Sequence, residues 1–340
     1  MRKNKAIVAV ILALSVTCAA AHADQEKVNY KIKRLVSQLY SKQSMMDAQR
    51  KLSNCGTEAT EYVLPVLGDA GNESARIAAL KVLASVADER AEDDVVVLLK
   101  DGSPRVRQEA ARTLGIIGKK DSSVDALRKL LVSDYSPNVR YNAVNAMARM
   151  ARQKDEDVFI AVLGDYDPRV RKSAVTALGT LKSKEVVQYL AQMVRDIDPE
   201  VRFELVWALG EIKSPDCLQP LVWIVADPVP EIRVMAVEKI GMLKEGDTEG
   251  ALAEISESLH PEVCSLAIRV LADRGSGKAL GIAKEHIDDE YMEVKLASIY
   301  AIGKMGTHED IALLTVLLSA ESTKVREAAE EALAELGKSK

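Results

Sequence analysis

Histidines, cysteines and glycine-rich turns are where chemistry would have to begin, since they supply metal ligands, nucleophiles and phosphate cradles. Beyond the first two dozen residues the histidines are His260, His286 and His308, and no two share the close spacing that gathers ligands around a metal. Cys55, Cys217 and Cys264 are equally scattered and odd in number, which excludes a disulfide framework and leaves free, buried thiols as the expectation. Gly275-Ser276-Gly277-Lys278 has the look of a phosphate loop, but no strand precedes it, and there is no nucleophile elbow. We therefore assign no catalytic residue, no metal ligand and no cofactor. What does recur is a carboxylate six residues before a guanidinium: Asp101/Arg107, Asp134/Arg140, Asp165/Arg171, Asp196/Arg202 and Asp227/Arg233. A partly buried guanidinium requires carboxylate or carbonyl partners, so the chemistry expected of these pairs is structural.

The elements that position those pairs follow from their period. Arg76, Arg107, Arg140, Arg171, Arg202, Arg233 and Arg326 occupy one slot, with Cys264 and Lys295 filling two more; seven of the eight intervals are 31 residues and the other is 33. A period held that long means stacked helical repeats, each contacting mainly its neighbours. Proline stands three residues before the slot at Pro104, Pro137, Pro168, Pro199, Pro230 and Pro261, as suits the first position of a helix. Each repeat thus reads as a short helix A, a tight turn and a helix B; in the best-formed example helix B runs from about Pro168 to Lys182 and the next helix A from about Glu185 to Arg195. The fold expected is all-α, a right-handed α-α superhelix of about nine two-helix repeats over residues 57–340. Residues 24–56, with the helical stripe Val28, Ile32, Leu35, Val36 and Leu39, form an atypical cap.

With the slot numbered zero, positions −1, +3, +7 and +10 share one helical face, as in Val106, Ala110, Leu114 and Ile117, or Val170, Ala174, Leu178 and Leu181. That face is the expected core. Position +8 is glycine at 115, 179, 210, 241 and 303. A glycine inside a helix costs ~1 kcal/mol against alanine, so its recurrence implies close approach of a neighbouring helix.

The pattern Asp-x-x-Pro-x-Val-Arg-x-x-Ala-x-x-Ala-Leu-Gly at 165–179 resembles the short HEAT-like repeat of phycobilin lyases, and the resemblance covers roughly residues 57–340. It implies an α-solenoid, an inter-repeat aspartate–arginine ladder, and helix B lining the concave side. The iron-binding His-Glu pairs of deoxyhypusine hydroxylase, a HEAT-repeat enzyme, have no counterpart: the matching positions are Gln108-Glu109, Tyr141-Asn142, Lys172-Ser173 and Phe203-Glu204. The ladder falters at Ser258 and Cys264, and Arg274 sits in a slot that is apolar elsewhere, which marks that repeat as a place to bend.

Positions +1 and +5 of helix B face away from the core and would form the groove. The chain has two Phe and two Trp, and Phe203 and Trp207 sit four apart on this face. Large aromatics in a wet groove are the usual anchors of partner recognition. Val234, Met235, Glu238 and Met242 extend the patch, with Tyr141, Asn145 and Tyr300 in the same columns of other repeats. Folding of Phe203 and Trp207 over adjacent helices is the competing expectation. Basic residues (Arg105, Arg112, Arg149, Arg169, Lys172) precede the aromatic pair and acidic ones (Glu200, Glu204, Glu211, Glu231, Glu238) surround and follow it, a gradient able to orient a charged segment. Trp223 and Phe159 belong to A helices and are expected inside.

Arg2, Lys3 and Lys5, the apolar run Ala6–Val16 and Ala21-His22-Ala23 read as a signal peptide over residues 1–23, cleaved after Ala23; a lipidated Cys18 is the rival reading. Loss of three basic residues takes the formal charge from −5 to −8, which argues against nucleic acid or an anionic lipid surface as partner. No later segment is long and apolar enough to span a membrane. The function expected is a non-catalytic scaffold or adaptor for protein or peptide, exported to the periplasm or beyond and binding through the helix-B groove. Two alternatives remain: an accessory subunit of an envelope or secretion assembly using its convex face, and a phycobilin-lyase-like enzyme.

Overall fold

Proline at the start, a core stripe along one side and a turn after some fourteen residues make each helix B a discrete rod, and the rods stack. The computed structural model describes residues 25–150 and 155–338, which are helical throughout and contain no strand. The expected leader, with Cys18, lies outside the described residues. The helices fall into two compact units, one through Ala151 and one from Arg152. The first holds α1 (25–38), α2 (Met45–Ser53), α3 (Thr60–Leu67), α4 (Glu73–Val86), α5 (Glu92–Val97), α6 (Pro104–Ile117), α7 (Asp121–Ser133) and α8 (Pro137–Met150). The second holds α9 (Glu156–Ala161), α10 (Pro168–Leu181), α11 (Val187–Leu190), α12 (Pro199–Ile212), α13 (Leu218–Ile224), α14 (Pro230–Met242), α15 (Thr248–Ile255), α16 (Pro261–Asp273), α17 (Ala279–Glu285), α18 (Met292–Met305), α19 (Ile311–Leu317) and α20 (Thr323–Lys338).

The B helices are α4, α6 and α8 in the first unit and α10, α12, α14, α16, α18 and α20 in the second. Their expected core face is buried: Val106, Ala110, Leu114, Ile117, Val170, Ala174 and Leu178 are inaccessible or nearly so, and only Leu181 is partly exposed. Position +4 (Ala111, Val175, Val206, Val237) is buried as well, because α6, α10, α12 and α14 are each covered both by helix A and by the next B helix. The A helices are shorter than their pattern predicts and less regular. Glu92–Val97 tightens into a 3₁₀ turn over Leu98–Lys100, and Val187–Leu190 into one over Ala191–Arg195. Thirty-one residues leave little room for helix A once helix B and two turns are satisfied, and a 3₁₀ turn carries the chain further per residue.

Two rows of polar contacts lock the stack. On the A–B edge Arg107, Arg171 and Arg202 each donate to the backbone carbonyl six residues back and to the aspartate of the next repeat. Arg171 reaches the Asp165 carbonyl (2.7 Å) and both oxygens of Asp196 (2.7 Å each); Arg202 reaches the Asp196 carbonyl (2.7 Å) and both oxygens of Asp227 (2.5 and 3.0 Å). In the first unit Arg107 does the same with the Asp101 carbonyl (2.8 Å) and Asp134 (2.7 and 3.0 Å), and Arg140 donates to the Asp134 carbonyl (2.8 Å). The Asp196 hydrogen bond raises the Arg171 pKa above its ordinary value, as Asp227 does for Arg202. Where Ser258 replaces the aspartate, Arg233 turns to Glu262 instead, and the Cys264 thiol donates to the Ser256 carbonyl at 2.7 Å. Arg274, placed in an otherwise apolar slot, points out and donates to the Gly241 and Leu243 carbonyls at the end of α14 (3.2 and 3.1 Å). The repeat singled out for bending is thus stitched to its neighbour by other groups.

The second row lies on the opposite edge and has no fixed residue type. Buried Asp88 accepts from the Thr60 hydroxyl (2.7 Å), and buried Glu92 accepts from the Lys119 and Lys120 amides (2.9 and 2.8 Å) and the Ser123 hydroxyl (2.5 Å). In the second unit Ser276 donates to Glu249 at 2.9 Å. Of the described cysteines, Cys217 and Cys264 are buried thiols whose pKa burial pushes up to about 11 and about 12; Cys55 is half-buried, and none is paired.

The recurring glycines face position +6 of the next B helix. A Cβ on Gly179 would lie 2.7 Å from the Ala208 Cα, on Gly303 2.7 Å from the Ala332 Cα, and on Gly115 2.8 Å from the Ala146 Cα. At Gly210 the neighbour is instead the movable Lys239 chain, with Cδ at 2.5 Å. Gly179→Ala should therefore lower the urea midpoint by the equivalent of about 1–3 kcal/mol of overpacking. Gly210→Ala should be neutral or stabilising by up to about 1 kcal/mol, through its gain in helix propensity. Equal effects at the two sites would contradict the packing account.

Candidate partner-binding surface

Because the core claims positions −1, +3, +4 and +7, a side chain at +1 must leave the stack. Phe203 does so and is 46% exposed in the middle of α12. Trp207, one turn on, is half-buried: its ring leans back on α10, where Cζ3 would come within 3.3 Å of a Cβ on Gly179. The bare glycine thus gives the indole a seat, and the two expectations for this pair divide between its members. On α14, Val234 and Met235 are partly covered, while Glu238 and Met242 are exposed, Met242 at 56%. Phe203, Trp207, Val234 and Met242 thus stand on two packed neighbouring helices and form an apolar strip open to water.

The charge gradient is softened by pairing between adjacent B helices. Lys172 meets Glu200 at 2.8 Å near the starts of α10 and α12, and Lys182 meets Glu211 at 2.8 Å near their ends. Hydrogen bonding to those lysines lowers the pKa of both glutamates, and the Glu200 contact raises that of Lys172. Arg169 pairs with Asp167 (2.7 Å), and in the first unit Arg105 with Glu73 (3.1 Å) and Arg112 with Glu109. Glu204, Glu231 and Glu238 have no cation partner among the described residues, so the strip keeps an acidic border.

Tyr300 is not part of the strip. Its hydroxyl donates to Asp273 (2.5 Å), its ring lies under the Arg269 guanidinium (5.0 Å to the centroid), and it borders a hollow of about 320 Å³ with Leu296 and Glu331. In the first unit Tyr141 and Asn145 line a separate hollow of about 430 Å³ together with Arg112 and Arg149; the Asn145 amide donates to the Tyr141 carbonyl at 2.9 Å. The nine residues of the expected groove therefore occupy three settings: the apolar strip, the tyrosine–arginine hollow of α16–α20, and the hollow between α6 and α8.

The A-helix side holds a correction. Phe159 is wholly buried as expected, but Trp223 is 54% exposed on α13. It borders hollows of about 520, 370 and 460 Å³, whose other walls include Val187, Ala191, Val194, Arg195 and Pro220. A helix of seven residues, entered from a 3₁₀ turn, presents too short a stripe for period-3.6 reasoning to tell its two sides apart, and that is how Trp223 was misplaced. With two Trp in the chain, single replacements separate them. Trp207→Phe, which leaves Trp223, should emit further to the red and be quenched more steeply by acrylamide than Trp223→Phe. The reverse order would contradict this placement.

The family model for HEAT repeats matches residues 60–135, 124–199, 190–258 and 248–334, nearly the whole described chain. No curated protein matches. Among solved structures, Kap121p bound to Ste12p superposes with a TM-score of 0.70 at 13% identity, covering 90% of this chain and 41% of that one. The karyopherin Kap121p bound to the extreme C-terminus of the protein phosphatase Cdc14p gives 0.68 at 14% identity, covering 91% and 42%. The chain thus spans about two fifths of the length of these karyopherin structures, and at such identities the likeness is one of fold. No helix among the described residues is long and apolar enough to cross a membrane. By sequence model, repeat packing and ladder alike, this chain belongs to the HEAT-repeat family.

Proposed function

We propose that this protein is a non-catalytic scaffold or adaptor that holds a protein or peptide segment against the B-helix strip of its second unit. The observation that carries this reading is the exposure of Phe203 and Met242 on neighbouring helices, joined by the half-covered Trp207 and Val234. A solenoid presents a long surface with little reorganisation, and exposed aromatics on such a surface are the anchors that partners bury. The acidic border of Glu204, Glu231 and Glu238 favours a segment with basic flanks. Kap121p, of the same repeat architecture, is seen with Ste12p and with a Cdc14p terminus bound, which supports the assignment by analogy of fold. The leader-like residues 1–23 support a reading in which this scaffold works outside the cytoplasm, in the periplasm or beyond.

A second reading, an accessory subunit docking through its A-helix side, is favoured by Trp223 and its three adjoining hollows. Photo-crosslinking in the native cells separates the two. A benzoylphenylalanine at position 203 should yield one discrete adduct that is lost on Met242→Asp, while the same probe at position 223 yields none. Adducts from position 223 alone would overturn the groove reading in favour of the A-helix side.

A further inference from the structure

The ladder does more than hold the stack, because it fixes the tips of successive turns in rank. In each A–B turn the aspartate carboxylate accepts from the amide two residues on: Asp165 from Asp167, Asp196 from Asp198 and Asp227 from Val229, all at 2.9 Å, with the Ser258 hydroxyl accepting from His260 at 3.2 Å. The residue between carboxylate and amide is thereby thrust outward at the tip of an Asx or Ser turn. Polar or small residues would be ordinary there: Gly102, Glu290 and Glu321 fill the slot in other repeats, while Tyr135 of the first unit lies under the Arg107 guanidinium, 4.8 Å from the ring centroid. In four consecutive turns of the second unit it is Tyr166, Ile197, Pro228 and Leu259. Tyr166 is 99% exposed, Ile197 91% and Leu259 93%, and Pro228 is exposed too. Tyr166, Ile197 and Leu259 thus touch almost nothing of their own molecule, and contribute neither to the core nor to the strip between the B helices. Arg171 and Arg202, bridging Asp165 to Asp196 and Asp196 to Asp227, hold the tips beside one another.

We infer that this rank of turn tips is a second docking edge, whose occupant is a basic amphipathic helix of a partner protein. The spacing suits such a helix. Neighbouring helices pack about 8–10 Å apart, so the tips recur at about that interval. One heptad of an α-helix rises about 10.5 Å, so a heptad stripe presents apolar residues in step with the tips. The charge is complementary. The four turns, 164–169, 195–200, 226–231 and 257–262, carry nine carboxylates against Arg169 and Arg195; Arg171, Arg202 and Arg233 take three of them, Arg169 pairs with Asp167, Lys172 with Glu200, and His286 lies 3.6 Å from Glu257. Asp198 and Glu231 remain without a cation partner among the described residues, and the following turn adds Asp288, Glu290 and Glu293 in the same condition. A helix with lysine or arginine flanking its apolar stripe would therefore be steered to this edge and held there by the exposed side chains.

The test uses the full chain and a labelled peptide of four heptads, with leucine at the a and d positions and lysine around them, followed by fluorescence anisotropy. Binding should weaken with added salt and fall about tenfold or more in Ile197→Asp/Leu259→Asp, whose fold circular dichroism should show intact, since Glu290 and Glu321 occupy the equivalent slot. Ile197→Ser/Leu259→Ser, which adds no charge, should lose affinity in the same direction. Phe203→Ala should leave binding within about twofold, which separates this edge from the proposed groove. Three results would each overturn the inference: undiminished binding to both tip variants, equal binding of a peptide of the same composition permuted to abolish the heptad stripe, or a loss confined to Phe203→Ala.

Discussion

Where the repeat slot holds arginine, a guanidinium shared between a carbonyl of its own turn and a carboxylate of the next repeat is the contact on which the rest of this structure depends. Arg107, Arg171, Arg202 and Arg233 are nearly buried, and a buried cation without partners would be costly. The partners are supplied at a pitch that only the stacked arrangement provides. Each arginine therefore ties two adjacent repeats in one relative position, and each turn aspartate serves both as anion for the preceding arginine and as cap for its own turn. Energetic locality follows within each unit: a repeat so tied is fastened to its neighbours, and the stack grows without a central core.

This constraint sets what the surface can offer. With the B helices close enough that Gly179 and Gly303 cannot carry a Cβ without moving a neighbouring backbone, side chains at +1 and +5 are forced outward or folded across the gap. Phe203 takes the first course and Trp207, seated on Gly179, the second. The same close approach lets Lys172 reach Glu200 and Lys182 reach Glu211, turning what reads in sequence as a field into local pairs. At the turn edge the constraint works oppositely: with the backbone polar groups satisfied by the aspartate and the arginine, the tip residue is free to be anything, and a run of apolar tips stands out against that freedom.

Much of the fold was legible because the arginine slot, the proline three residues before it and the glycine eight after it each record one physical requirement that recurs unchanged. The glycine contacts belong to that class, whereas the inter-repeat direction of the ladder was implied by the resemblance to HEAT-like repeats. The second row of contacts was not legible, since Thr60, Asp88, Glu92, Ser123, Glu249 and Ser276 meet one need with different chemistries and leave no column to read. The replacement of a turn aspartate by Glu262 was hidden for the same reason: the carboxylate arrives from another position in the repeat. Trp223 was misread because a seven-residue helix entered from a 3₁₀ turn is too short to show the period on which face assignment rests. The B-helix columns were named correctly as outward, but how far each side chain folds back depends on what its neighbour lacks, as Trp207 on Gly179 demonstrates.

A double-mutant cycle on Arg202 and Asp227 tests the ladder most directly. Each single apolar replacement, Arg202→Met or Asp227→Leu, leaves a buried charge unpartnered and should cost about 3–5 kcal/mol in chemical denaturation. The double replacement should recover most of that loss, leaving roughly 1 kcal/mol for the turn hydrogen bond to the Val229 amide. Losses that simply add, or singles no worse than surface substitutions, would contradict the claim that this contact holds the repeats in register.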